Sequence, residues 1–133
     1  KTNKMNTNYL HSDLSGLVLK AFYNVYNTLG YGFLEKVYER AMMIELAKFG
    51  LKAESQRALK VYYEGHLVGD YYADIIVDDK IIIELKAVGT LIELHEAQLV
   101  NYLRATDIEV GLLLNFGKKP QHVRRVLTKD YKK

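Results

Sequence analysis

No cysteine occurs anywhere in this chain, so disulfides and thiolate metal sites are excluded and a reducing compartment is the natural expectation. Proline is nearly as scarce. The single one, Pro120, lies near the end, and no low-complexity linker or internal repeat interrupts the sequence. No apolar run is long enough to cross a bilayer, and the polar opening KTNKMNTNYLHS does not read as a signal peptide. The expectation is a cytoplasmic protein without membrane attachment.

What is present is ordinary globular composition: 133 residues, 49% hydrophobic and 26% charged, enough to bury a core without staples. We read one domain over 1–133, with a polar N-terminal tail at 1–11 and a basic segment at 117–133. That segment holds Lys118, Lys119, Arg124, Arg125, Lys129, Lys132 and Lys133 against Asp130 alone, so it carries +6 and the remainder −3. Such asymmetry suits contact with a phosphate backbone, or simply a solvated basic surface.

The apolar spacing predicts a first helix from a cap at Ser12, with Leu14, Leu17, Val18, Ala21 and Val25 inward, stopped by Gly30 and Gly32. A second helix is predicted over about 34–49, with Leu34, Val37, Tyr38, Ala41 and Ile44 inward and Gly50 as its stop. From Ala53 the pattern turns to β. LKVYY and LVGDYYADIIV flank the turn EGH, and DDK leads into IIIELKAV, which makes an antiparallel meander. Thr90 and Glu93 form a capping-box pattern that opens a third helix carrying Leu94, Ala97, Gln98, Val100 and Leu103. EVGLLLNF reads as a strand buried on both faces, and HVRRVL as a final strand. The order suggests an α/β fold with helices packed on a mixed sheet.

Glu84 and Lys86 sit inside the apolar run IIIELKAV and share one face of the pleat, opposite Ile83 and Leu85. Ionised groups in such a strand require a partner or a function. Asp74 supplies one if the loop before the third strand is the three-residue Asp78-Asp79-Lys80, which pairs 74 with 84, 75 with 83 and 77 with 81. A two-residue turn would send Asp74 to the other face. Two carboxylates beside an ammonium suit a hard divalent cation, Mg²⁺ or Mn²⁺, and phosphoryl chemistry. A plain Asp, Glu and Lys ion cluster is the alternative. Glu35 stands at the start of the second helix, where a carboxylate favours the helix dipole. Gln98 and Tyr102, four apart, share a face of the third helix. His11, His66, His95 and His122 are scattered and do not suggest a ligand set.

In order along the chain these residues resemble the PD-(D/E)XK nuclease superfamily. The chain as a whole resembles a small bacterial family named for the motif GxxExxY, present here as Gly32, Glu35 and Tyr38. The signature itself appears as Asp74 followed by Glu84-Leu85-Lys86, and QLVNY looks like the Q-x-x-x-Y element of RecB-type exonucleases. Asp74 follows Ala73 where the superfamily name has proline.

The resemblance implies a restriction-endonuclease-like three-layer core: a mixed sheet of four or five strands, a meander plus a crossover helix and strand, flanked by helices. It implies a Mg²⁺-dependent nuclease, with DNA the favoured substrate over RNA. Asp74, Glu84 and the Leu85 carbonyl would hold the metal together with Glu35, Lys86 would serve the attacking water, and Gln98 would support the site. Tyr38, Tyr102, Lys118, Lys119, Arg124 and Arg125 are the expected nucleic-acid contacts. So small a chain would take its specificity from short loops, a homodimer or a protein partner. The alternative is a nuclease-like fold that binds nucleic acid or protein without cleaving.

Overall fold

The computed structural model describes residues 10–132. Apart from Leu10 and His11, the polar tail expected at 1–11 lies outside the described residues. Helix α1 (Ser12–Leu29) turns Ser15, Val18, Ala21, Phe22 and Val25 inward. Its N-cap is His11, in a left-handed conformation, so Ser12 is the first helical residue and not the expected cap. Gly30 ends the helix, its N–H donating to the Tyr26 carbonyl at 2.8 Å.

Helix α2 (Glu35–Lys48) buries Tyr38, Glu39, Met42 and Leu46. This corrects the expected stripe, because Leu34 is 79% and Ile44 65% exposed. Tyr38 sets the rotation of the helix. Its ring stacks on Phe116 with centroids 4.1 Å apart, and its hydroxyl donates to Gly30 O at 2.8 Å and accepts from Phe33 N at 3.2 Å.

The sheet contains β1 (Ala53–Tyr63), β2 (His66–Val77), β3 (Ile81–Lys86), β4 (Val110–Phe116) and β5 (Pro120–Val126), with α3 (Glu93–Arg104) crossing between β3 and β4. Spatial order follows chain order, all neighbours being antiparallel except the parallel pair β3 and β4. The first hairpin turns on two residues, Glu64 and Gly65, both at positive φ, so His66 of the expected EGH turn already pairs with Tyr63. The second hairpin has the expected three-residue loop, with Ile75 opposite Ile83 and Val77 opposite Ile81. Asp78 and Asp79 take left-handed conformations there, which aspartate tolerates. The Asp78 carboxylate accepts from Lys52 N at 2.9 Å, and Asp79 pairs with Arg57.

Helices α1 and α2 cover one face of the sheet, against Ile75, Val77, Ile81, Ile83, Leu85 and the even residues of β4. Helix α3 covers the other face, where Leu99 and Leu103 meet Ile76, Ile82 and Leu113. This helix starts at Glu93 without the expected Thr90 box; the imidazole of His95 accepts from Ile92 N at 3.1 Å instead. Every residue of β4 is buried, as a strand between two layers demands. The basic 117–133 segment is for the most part structure and not a tail: β5 forms the sheet edge, and a single 3-10 turn follows at Lys129–Tyr131. Pro120 opens that edge strand, where a missing N–H is tolerated.

Helix α3 is seated by Gly111 of β4, where a Cβ would stand 2.7 Å from a Leu99 methyl group. Gly111→Ala is therefore expected to destabilise the protein by about 1–3 kcal/mol through overpacking. Thermal denaturation should show a midpoint several degrees lower, and an unchanged midpoint would contradict this seating.

Candidate active site at the Asp74 and Glu84 bridge

Ile75 and Ala73 are two residues apart on β2, yet they pack on opposite layers, Ile75 beneath α1 and α2 and Ala73 beneath α3. Regular alternation would place both on one face. The switch coincides with a break in the β1–β2 ladder, which pairs Ser55 with Ile75 and Arg57 with Ala73 but skips Gln56 and Asp74. Gln56 takes a left-handed conformation, φ 56°. The β2–β3 ladder likewise stops at Ile75 and Ile83.

Side chains take over where the ladders stop. Asp74 Oδ2 accepts from the Leu85 N–H at 2.8 Å, and Glu84 Oε2 accepts from the Asp74 N–H at 3.1 Å. Each carboxylate thus bonds the backbone of the opposite strand. The Gln56 amide donates to Glu39 Oε1 at 3.0 Å and reaches Asp74 Oδ1 at 3.5 Å. Helix α2 therefore brings a third, buried carboxylate, Glu39, to the pair.

These groups are poorly solvated. Burial pushes the Asp74 carboxyl up, and the Glu39 charge adds to this against the Leu85 N–H, Lys86 and Gln56. Glu84 is raised to about 8, first by burial and then by the Asp74 charge, with the Asp74 N–H and Lys86 opposing. From the other layer, Tyr102 of α3 senses the same charges: burial first, then Glu84 and Asp74, hold its phenol above the ordinary range. The site thus lies where both helical layers meet the end of β3.

Behind the site, buried Asn115 pairs with Lys86 in the β3–β4 register and clamps the chain beyond β3, accepting from Val88 N and donating to Val88 O, both at 3.0 Å. Asn115, Gln56 and Glu39 were not singled out from the sequence. Only the position of Gln56 opposite Asp74 in the first hairpin could have flagged one of them.

The other predicted residues fall in different places. Glu35 is exposed at the first turn of α2, one turn before Glu39 on the same side of the helix. Gln98 opens onto the groove beside α3 and Tyr102 lies between that groove and the carboxylates. Tyr38 is fully buried, so its ring is not a surface for nucleic acid. Lys118 and Lys119 are exposed at the β4–β5 turn, whereas Arg125 pairs with Glu96 and Arg124 donates to the Leu10 carbonyl.

The donor set is hard oxygen throughout, and adjacent buried carboxylates that repel each other are relieved by a divalent cation, so the residues suit Mg²⁺ or Mn²⁺. Among the described residues, however, no group of three or more His, Asp or Glu already stands close enough together to hold a metal ion. No helix among them is long and apolar enough to cross a membrane.

A family model described as the PD-(D/E)XK nuclease superfamily matches residues 12–126. The crystal structure of SSO0001 has a similar fold, with a TM-score of 0.56 at 19% identity over 92% of this chain. The match spans 63% of that protein's length. No curated protein matches the chain. The mixed five-stranded sheet between its helices is the restriction-endonuclease-like fold.

Protonation of Glu84 should be visible in stability. The unfolded chain releases this proton near the ordinary value of 4.5, while the folded protein keeps it to about 8. Metal-free stability should therefore fall as pH rises between these values and level off above them. Glu84→Gln keeps an acceptor for the Asp74 N–H but removes the charge. It should flatten this dependence and raise the melting temperature at pH ~8, the difference being at most a few kcal/mol. Identical pH profiles for the two proteins would contradict the assignment.

Proposed function

The chain belongs to the PD-(D/E)XK nuclease superfamily, and on that premise we propose that it is a Mg²⁺-dependent nuclease, DNA being the favoured substrate. The observation that carries this reading is the pair of half-buried Asp74 and buried Glu84, adjacent to each other and beside Lys86, where the ladder to β3 ends and the ladder to β1 skips a pair. The finer placement in the bacterial GxxExxY group rests on Gly32, Glu35 and Tyr38.

Hydrolysis of a phosphodiester requires a water in line with the leaving oxygen and positive charge against the equatorial oxygens. Asp74, Glu84 and the Leu85 carbonyl would hold the ion, with Glu39 supplying the inward carboxylate of α2 and Glu35 lying one turn outward. When bound, the ion would polarise the phosphoryl group and make water a better nucleophile at neutral pH. Lys86 would orient that water or compensate charge developing on the phosphate. Tyr102 and Gln98 would position the backbone from α3, and Lys118 and Lys119 offer further cationic contacts.

A second reading, a nuclease-like fold that binds without cleaving, is favoured by the lack of a preformed three-ligand cluster among the described residues. Cleavage assays on single- and double-stranded DNA and RNA with Mg²⁺ or Mn²⁺ separate the two. Lys86→Ala should lower the cleavage rate by about 10²-fold or more while leaving the fold intact. Equal rates in wild type and variant would refute the site. Absence of both cleavage and Mg²⁺ binding, with nucleic acid still bound, would establish the second reading. Glu39→Gln should cost more activity than Glu35→Gln; the reverse order would return the α2 metal role to Glu35.

A further inference from the structure

The outer half of the β1–β2 hairpin stands away from the rest of the sheet and faces α3 across a groove of about 590 Å³. Lys60, Tyr62 and Tyr71 line it from the hairpin, and Gln98, Tyr102 and Arg104 from the helix. None of the described lining residues is acidic, and neither Lys60 nor Arg104 is among the ion pairs of the described residues. The groove is thus complementary to a polyanion.

Its aromatic residues are presented and not buried. Tyr62 is 61% and Tyr71 49% exposed. Tyr71 and Tyr102 face each other at 5.9 Å between ring centroids, tilted by 44°. Tyr71 is seated on the bare backbone of Gly69, where a Cβ would stand 2.8 Å from the ring edge. Tyr102, at the inner end, is near enough to Asp74 and Glu84 for their charges to act on its phenol.

We propose that this groove is a binding track for an unpaired nucleic-acid strand, with bases against the tyrosine rings and phosphates against Lys60 and Arg104, leading to Asp74 and Glu84. In a duplex the base faces are hidden by their neighbours, whereas an unpaired strand offers them to aromatic side chains. The direction of the strand rests on the nuclease reading; its binding does not.

The test is fluorescence anisotropy on the wild-type chain in EDTA, where metal-dependent cleavage is silent, with labelled oligodeoxyuridine, oligouridine and a blunt DNA duplex of equal length. A single strand should bind more tightly than the duplex, and the stronger of the two single-stranded arms identifies the sugar. Tyr62→Ala and Tyr71→Ala should each weaken single-strand binding by about tenfold, Tyr71→Phe should retain it, and duplex binding should not change. Circular dichroism checks that each variant is folded.

Equal loss on single strand and duplex, or no loss in folded variants, would overturn the proposal. So would a dimer in sedimentation that Tyr62→Ala dissolves without any single-strand binding, which would make the hairpin a contact between copies. Because binding is read without metal, inactive protein that still binds single strands refutes only the nuclease reading. Metal-dependent cleavage of duplex by protein that ignores single strands refutes only the groove.

Discussion

The bond from the Leu85 N–H to the Asp74 carboxylate is the constraint on which the rest of the site depends. At this point β2 parts from β3 and its ladder with β1 skips one pair, and each open backbone group needs another partner. Asp74 and Glu84 meet that need by reaching across to each other's strand. Their geometry is therefore fixed by the same bonds that hold the sheet together.

Electrostatics and architecture oppose each other here. Burial between the helical layers disfavours charge on Asp74 and Glu84, and Glu39 adds a further negative group. Lys86 offsets part of this at Asp74 and at Glu84, but burial outweighs it at both. A site in which Glu84 keeps its proton toward pH 8 is also one in which a divalent cation has much to gain, because its arrival replaces that proton and offsets the repulsion.

Much of this was legible in the sequence. The parity of Asp74, Glu84 and Lys86, together with the Asp78-Asp79-Lys80 loop, was enough to fix the second hairpin, because a one-residue slip would have sent Asp74 to the face away from Glu84 and Lys86. The apolar run of β4 announced a strand covered on both faces. The face of α2 was not legible, since Leu34, Val37 and Ile44 are apolar yet outward, and the rotation comes from Tyr38 engaging Gly30 and Phe116 across the fold. Glu39 looked like any helix-surface charge. Its role depends on Gln56, whose left-handed backbone is a tertiary choice that no local pattern declares. Likewise Thr90 and Glu93 had the spacing of a cap, but His95 took the Ile92 N–H.

The left-handed kink at Gln56 has one more consequence. β1 is an outer strand of the sheet, eleven residues long, with one row of backbone groups facing away from β2. A flat strand of that length would invite addition of a strand from another molecule. The left-handed backbone at Gln56 interrupts that row between Ser55 and Arg57, so the residue that brings Glu39 to the carboxylates also makes the edge a less regular template for aggregation.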